Sequence, residues 1–172
     1  IPSILVALGQ ISVLNKFWKR FRYRNKMIGI AMQNKSGKTS LAREISSDKV
    51  IAIDLDTDIW AIFNQDEKSK MEKLKNENIN MFKLLFYPLC KRYLMSIFYE
   101  HIKPDMRIVI ISSDIYLLRF LKVKVKIFLP DEKFYNEIGT EGMASRLDLI
   151  VQKDVQFYSS FSKLHKMVKK LL

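Results

Sequence analysis

Cysteine is almost missing from this chain of 172 residues, in which Cys90 is the only one. No disulfide can form within the chain, which suits a reducing compartment such as the cytoplasm or an organelle matrix. Because the chain begins at Ile1 rather than Met, removal of a mitochondrial presequence would fit the second location. Cys90 lies in an apolar helical stretch and is expected to be a small core residue. The histidines, His101 and His165, do not cluster with it, so no zinc site is expected.

Glycine and proline are also scarce, and the first apolar stretch is too short to cross a bilayer. Five glycines and four prolines leave no low-complexity linker. The stretch 1–14 falls short of the roughly 20 residues that a membrane-spanning helix needs, so no transmembrane segment is expected. With 48% apolar residues, the composition and length are typical of one globular domain.

Acidic residues are outnumbered: 30 Lys and Arg stand against 18 Asp and Glu, a net charge of +12. Such an excess attracts phosphates, nucleic acid or anionic lipid. Apolar residues at steps of three and four predict an amphipathic helix over residues 1–26. We expect this basic extension to pack on the domain or on a neighbouring subunit, with RNA, a membrane or a protein as alternative partners. The candidate nucleic-acid contacts are Lys16, Lys19, Arg20, Arg22, Arg24 and Lys26.

Short apolar stretches alternate with helical patterns from residue 27 to residue 172. The strands are predicted at 27–32, 50–53, 107–112, 123–127 and 147–151. The helices are predicted at 38–45, 68–76, 88–102, 116–121, 130–138 and 157–171, and 139–146 is predicted as a loop. Pro88 is expected at the start of its helix, where its missing N–H costs nothing. This alternation predicts a three-layer α/β domain with about five parallel strands covered on both faces.

A phosphate-binding pattern follows the first predicted strand. Residues 32–39 match G-x-x-x-x-G-K-[ST] except at the first position, where Met32 replaces Gly. Loop N–H groups and a helix N-terminus attract phosphate, Lys38 would reach the β- and γ-phosphates, and Thr39 Oγ would hold Mg²⁺. Met32 is expected to crowd the turn or change its backbone, so an inherited loop that no longer binds is the alternative. The candidate contacts to ATP, or to another purine nucleotide, are Asn34, Lys35, Ser36, Gly37, Lys38, Thr39 and Ser40.

Three acidic residues, Asp54, Asp56 and Asp58, follow the second predicted strand at alternate positions. The carboxyl ends of parallel strands share one edge of a sheet, so these acids should face the same crevice as the loop. Kinases need a carboxylate there to orient or deprotonate the attacking hydroxyl and to help hold Mg²⁺. All three are candidate Mg²⁺ ligands together with Thr39; the alternative is a solvated strand end.

With these motifs, residues from about 27 to 171 resemble dephospho-CoA kinase and its nucleotide-kinase relatives. The matching segments are the loop region 28–42, Tyr87-Pro88-Leu89, 107–112, 123–132 and 147–151. The family's Asp-x-Asp can be laid on Asp54/Asp56 or on Asp56/Asp58. Asp56 belongs to both, so the resemblance implies Asp56 as the catalytic or Mg²⁺-orienting acid, acting with Lys38. Shikimate-kinase-like enzymes share only the loop and the Asp-x-Asp.

The chain departs from the family at Met32, at Tyr87 in place of His, and at the lid. Only residues 139–146 separate the predicted helix from the last predicted strand, so no arginine-bearing lid is expected, and Arg146 is the nearest candidate phosphate clamp. Two functions stay open. One is an ATP-dependent kinase of a small hydroxyl-bearing substrate such as dephospho-CoA. The other is a kinase-derived, inactive subunit of a large assembly, such as an organellar ribosome, another ribonucleoprotein or a viral particle.

Overall fold

Helices and strands alternate along most of the chain, as the sequence predicts. The computed structural model describes residues 11–139 and 141–172, with side chains from residue 15 onward. The elements in chain order are α1 (Ile11–Arg24), β1 (Lys26–Ala31), α2 (Lys38–Ile45), β2 (Val50–Asp54), α3 (Leu55–Ala61), α4 (Gln65–Glu77), α5 (Ile79–His101), β3 (Arg107–Ser112), α6 (Ile115–Phe120), β4 (Lys124–Pro130), α7 (Glu132–Ile138), α8 (Met143–Ile150), β5 (Val155–Tyr158) and α9 (Phe161–Lys169).

The five strands form one parallel sheet in the order β2-β3-β1-β4-β5. β1 is central, with Ile30 paired to Ile111 of β3 and to Lys126 of β4. α2 and α9 cover one face, where Leu41 and Leu164 join the core; α6 covers the other. The predicted α/β architecture is therefore confirmed. Because β1 lies between two strands that the chain reaches by separate crossovers, the loop after β1 opens at a topological switch point of the sheet.

The chain groups into two compact units, each of which is described by itself. The sheet unit comprises Lys26–Asp56 and Asp105–Leu172, and so contains the whole sheet. The helical unit comprises the described residues up to Asn25 together with Thr57–Pro104. The division expected from the sequence, 1–26 and 27–172, stays a prediction.

Aromatic packing fixes α1 within the helical unit. Trp18 stacks on Phe98 of α5 at a ring distance of 5.9 Å, and Phe21 meets the same ring edge-on at 5.8 Å. Lys91 Nζ also donates to Asn15 Oδ1 at 2.7 Å. The amphipathic helix is thus present from Ile11, with its apolar face turned to α5. The part of the prediction before Ile11 lies outside the described residues.

The long helix α5 begins at Ile79, nine residues before the predicted start, and Pro88 lies inside it. Asn78 caps it by accepting from Met81 N at 3.1 Å. The apolar row continues upstream of the proline, because Phe82 and Phe86 stack at 4.8 Å in the core. Burying such rings offsets the roughly 3 kcal/mol that an interior proline costs a helix. The Pro88 assignment was therefore wrong, whereas Cys90 is buried as predicted.

Replacing Pro88 by Ala should raise the free energy of unfolding by about 1–3 kcal/mol, because an N–H then becomes available to the Leu84 carbonyl and the ring clash disappears. Urea denaturation followed by circular dichroism measures this. Pro104→Ala, outside the helix, is the matched control. A loss of stability in Pro88→Ala would mean that the packing of α5 depends on the proline.

The segment after α7 differs from the prediction in two places. Residues 147–151, predicted as the fifth strand, belong to α8 and the turn after it, and the fifth strand is Val155–Tyr158. A short apolar stretch does not distinguish strand from helix, and here Leu149 is buried whereas Leu147 is exposed. The predicted loop 139–146 is also partly helical, because α8 begins at Met143. Residues 139–154 therefore form a longer segment than expected at the lid position.

In the part of the chain that the structure describes, no helix is both long and apolar enough to cross a membrane.

Candidate phosphate-binding site

The loop 32–37 joins the central strand β1 to α2, and two of its residues have a positive φ. Lys35 and Gly37 have left-handed conformations, with φ of 60° and 91°. Gly37 is the N-cap of α2 and has no side chain to cap it. A Cβ at Gly37 would lie 2.9 Å from Phe161 Cε1, so packing as well as φ requires glycine there. Loop and helix N–H groups can therefore face an anion at this point.

Met32 does not crowd the turn, contrary to expectation. Its side chain is fully buried in the core beneath the loop, in the same cluster as Ile30 and Tyr158. Its φ is not left-handed, so this backbone does not need glycine at the position. The replacement of the first motif glycine is accommodated by turning the side chain inward.

The segment between α7 and β5 braces the loop from outside. Asn34 N donates to Ser145 Oγ at 2.9 Å, and the same hydroxyl donates to Gly142 O at 2.9 Å. Gly142 has φ 83° and lies so close to Asn34 that a Cβ would overlap its carbonyl oxygen. This segment at the lid position is therefore packed directly against the phosphate loop, a contact that the sequence prediction missed.

Tyr158 braces the loop from inside. Its hydroxyl donates to Ser36 O at 3.2 Å, and Ser36 Oγ donates to Gln33 O at 2.6 Å. Burial raises the pKa of Tyr158 to about 12, against the opposing effects of the Ser36 side-chain hydroxyl and of the Arg146 charge. The phenol therefore stays neutral and bound to the loop over the physiological range.

Stability should fall above pH 10 because of Tyr158. The pKa of its phenol is higher in the folded chain than the ordinary value of 10 expected in the unfolded chain. Between pH 10 and 12 the phenol is therefore ionised mainly in the unfolded chain, and the free energy of unfolding falls. The loss should reach about 2 kcal/mol at pH 12. The pH dependence of urea unfolding, compared between wild type and Tyr158→Phe, isolates this contribution. Parallel curves for the two proteins would contradict it.

Lys38, in the first turn of α2, is directed into a buried polar cluster. Its Nζ donates to Asn34 Oδ1 at 2.8 Å and lies 3.2 Å from Asp56 Oδ2. Only 7% of the side chain is exposed, against 21% for Asp56. A buried ammonium needs such partners, because desolvating it alone would be costly. The structure thus brings together the two residues that the sequence assigned to catalysis.

Thr39 and Asp54 form the next contact in this cluster. Thr39 Oγ1 donates to Asp54 Oδ2 at 2.6 Å, and Asp54 is nearly buried at the end of β2. A hydroxyl and a carboxylate oxygen are hard ligands of the kind that Mg²⁺ prefers. The remaining loop candidate on α2, Ser40, is exposed.

Two serines that the sequence analysis did not single out hold Asp56. Ser112 Oγ donates to Asp56 Oδ1 at 2.6 Å, and Ser113 N donates to Asp56 Oδ2 at 2.7 Å. They lie at the end of β3, which pairs with both β1 and β2. Their position at the end of a predicted strand indicated that they could lie at the same edge of the sheet as the loop. Only the strand order shows that they lie beside Asp56. Both carboxylate oxygens of Asp56 are therefore fixed in orientation.

Asp58, the third candidate acid, belongs to the helical unit. Its charge acts on Tyr93, where desolvation first and Asp58 second raise the pKa of the phenol. Within residues 11–139 and 141–172, no three His, Cys, Asp or Glu side chains are grouped so as to hold a metal ion. Any Mg²⁺ here would thus need oxygen ligands beyond the carboxylates, such as Thr39, phosphate and water.

Arg146, the candidate phosphate clamp, is buried beside the base of the loop. Its Nη1 donates to Gln33 Oε1 at 2.9 Å and to Pro130 O at 2.8 Å, and its guanidinium lies 4.3 Å from the Tyr135 ring centroid. These contacts support the second residue of the loop and the end of β4. To clamp a phosphate, Arg146 would have to use Nη2 or Nε or break these contacts.

The six cations proposed for nucleic-acid contact are all exposed: Lys16, Lys19, Arg20, Arg22 and Arg24 on α1, and Lys26 at the start of β1.

No family model matches the chain, and no curated protein sequence matches it. Among solved structures, it is similar to a de novo designed protein with the P-loop NTPase fold, solved by solution NMR, at 19% sequence identity over 86% of this chain and 89% of that chain, with a TM-score of 0.33. The resemblance to the dephospho-CoA kinase family thus rests on the residues quoted for it. The structure itself shows a five-stranded parallel sheet with helices on both faces and, after its central strand, the loop that carries Gly37, Lys38 and Thr39.

Proposed function

We propose that this chain binds ATP, or another purine nucleotide, with Mg²⁺ at the loop 32–39 and transfers the γ-phosphoryl group to a hydroxyl of a small substrate. The observation that carries the proposal is the contact between the buried Lys38 and the half-buried Asp56, which follow the carboxyl ends of β1 and β2. A lysine on a phosphate loop beside a fixed carboxylate is the arrangement that phosphoryl transfer needs.

Lys38 acts first as the phosphate ligand. Its partners are a neutral amide oxygen on Asn34 and the carboxylate of Asp56. The β- and γ-phosphates carry more charge than the amide and can replace Asn34 Oδ1 as acceptor. Lys38 then neutralises charge on the transferring group while the loop N–H groups hold the β-phosphate.

Thr39 and Asp54 would hold the metal ion, since their oxygens are suitable donors. Bound Mg²⁺ supplies neutralisation of the charge on the phosphate oxygens. The chain's own part is to keep Thr39 Oγ1 at the first turn of α2, next to the position of the phosphates.

Asp56 orients the acceptor. Its carboxylate would accept a hydrogen bond from the substrate hydroxyl and take that proton as the new O–P bond forms. The bond between the γ-phosphorus and the β–γ bridging oxygen breaks, and the nucleoside diphosphate leaves with the electron pair. Ser112 and Ser113 keep the carboxylate in one orientation during this step.

The resemblance to dephospho-CoA kinase makes dephospho-CoA the first acceptor to test. A second candidate function, an inactive kinase-derived subunit of a ribonucleoprotein or viral particle, is favoured by Arg146, because this nearest arginine is held in structural contacts. Such a subunit would keep the loop without transferring phosphate.

The test is a radiometric transfer assay with γ-labelled ATP, Mg²⁺ and dephospho-CoA, followed by a panel of small hydroxyl compounds. Lys38→Met, purified in parallel, controls for contaminating kinases. Acceptor-dependent product from wild type alone supports the proposal. No product with any acceptor, despite measured ATP binding, favours the inactive subunit.

A further inference from the structure

We propose that the exposed face of α1 binds single-stranded nucleic acid. The surface, called here the α1 basic face, consists of Lys16, Lys19, Arg20, Arg22 and Arg24 around the ring of Tyr23. The surface belongs to the helical unit and uses no residue of the phosphate loop. A test of this proposal is therefore separate from a test of the proposed function.

The charge of this face is not compensated. The first acidic residue of the chain is Glu44, so residues 1–43 contain neither Asp nor Glu. In the part of the chain that the structure describes, none of the five cations of the α1 basic face has an acidic partner within 4.0 Å. Such a face attracts a polyanion, and bound counterions would be released when phosphates replace them.

Tyr23 adds an exposed aromatic ring to the charged face of the helix. Its side chain is 93% exposed. It follows Arg20 by three residues and Lys19 by four, a spacing that puts all three side chains on one side of the helix. An exposed aromatic ring among cations is the platform on which single-strand binders stack bases, whereas the bases of a duplex are already stacked on one another. The ring therefore favours a single strand over a duplex.

The apolar face of α1 argues against a membrane as the partner. Interfacial helices bind lipid by burying their apolar face among the acyl chains. Among the described side chains, Trp18 and Phe21 of that face are already used: Trp18 is 2% exposed and stacks on Phe98 of α5, and Phe21 packs on the same ring, whereas Phe17 is 42% exposed. From residue 15 onward, the exposed side chains of α1 are therefore mainly charged or aromatic, and their chemistry matches phosphates and bases.

The dimensions give a quantitative expectation. Lys16 and Arg24 are eight residues apart, about 12 Å along a helix, which is the length of about four phosphates at their duplex spacing. Neutralising about four phosphates on a single strand gives a slope of about −3 for the logarithm of the association constant against the logarithm of salt concentration. Affinity should then fall about 50-fold between 50 and 200 mM salt.

The experiment is fluorescence anisotropy of the whole chain with labelled oligouridylate and oligothymidylate of about 12 nucleotides, within the site sizes of single-strand binders. Tyr23→Ala should weaken binding about ten-fold with an unchanged salt slope, and Tyr23→Phe should bind as wild type. The triple variant Arg20→Gln/Arg22→Gln/Arg24→Gln should flatten the slope by about 2. Circular dichroism confirms that each variant is folded.

The matched control is Lys163→Gln/Lys166→Gln/Lys170→Gln, which removes the same charge from exposed lysines of α9 and the turn after it. It should change affinity less than about two-fold.

The proposal is overturned if this control weakens binding as much as the arginine triple variant, if Tyr23→Ala binds as wild type, or if neither oligonucleotide binds at low salt. Binding to phosphatidylserine vesicles without oligonucleotide binding would point to a membrane instead. Binding of either oligonucleotide with the expected variant pattern supports it.

Discussion

Replacing Asp56 by Asn is expected to lower the rate of phosphoryl transfer by about 10²–10⁴-fold, because the acceptor hydroxyl loses its proton acceptor. The same change should leave ATP binding unchanged or make it tighter by up to about five-fold, because Lys38 loses a competing partner. A large loss of transfer without a loss of ATP binding would show that Asp56 acts in the chemical step. Single-turnover transfer and calorimetric binding measure the two separately.

Asp48→Asn is the control for this prediction, since it removes the same charge from an exposed position. Ser112 can rotate its hydroxyl to accept from the new amide, so Asp56→Asn should keep its fold. Loss of ATP binding together with transfer would mean that Asp56 holds the loop and has no specific part in the chemistry.

Replacing Gly142 by Ala should lower the free energy of unfolding by about 2–4 kcal/mol, the combined cost of a left-handed backbone and of an overpacked contact. A Cβ there would overlap the carbonyl oxygen of Asn34. To relieve the overlap, Asn34 must move, and its side-chain oxygen, which accepts the hydrogen bond from Lys38, moves with it. Affinity for ATP should therefore fall about ten-fold or more.

Gly139→Ala distinguishes the cost of a positive φ from the effect of the contact with Asn34. Gly139 also has a positive φ, 98°, but a Cβ there meets nothing within 4 Å. Its substitution should destabilise the fold through the backbone while ATP affinity stays at the wild-type level. Equal losses of affinity in the two variants would show that the segment after α7 does not brace the loop.

The sequence predicts most of the sheet unit because its strands are short apolar stretches bounded by turn residues. β1, β2 and β3 lie within one residue of their predicted positions, and α2 begins at Lys38 as expected. The loop could be recognised because Gly37, Lys38 and Thr39 are required by the chemistry of phosphate binding at fixed spacing.

The errors have physical causes that a single sequence does not reveal. Residues 147–151 form a short apolar stretch, and only the pairing of β5 with β4 shows which segment completes the sheet. The position of Pro88 was mispredicted because the cost of an interior proline is visible in the sequence, whereas the burial of Phe82 and Phe86 that offsets it is visible only in the folded helical unit. The contact of Asp56 with Ser112 depends on the order of the strands, which places β3 between β2 and β1.

The most direct measurement is calorimetric titration of ATP with Mg²⁺ into wild type, Lys38→Ala and Lys49→Ala. Lys49 is an exposed lysine that precedes β2 at the opposite end of the sheet, so it controls for the loss of one charge. The account predicts a dissociation constant of about 10 μM for wild type and Lys49→Ala, and a loss of about 100-fold or more in Lys38→Ala. Absence of binding by wild type, or equal binding by all three proteins, would contradict the claim that the loop is a working nucleotide site.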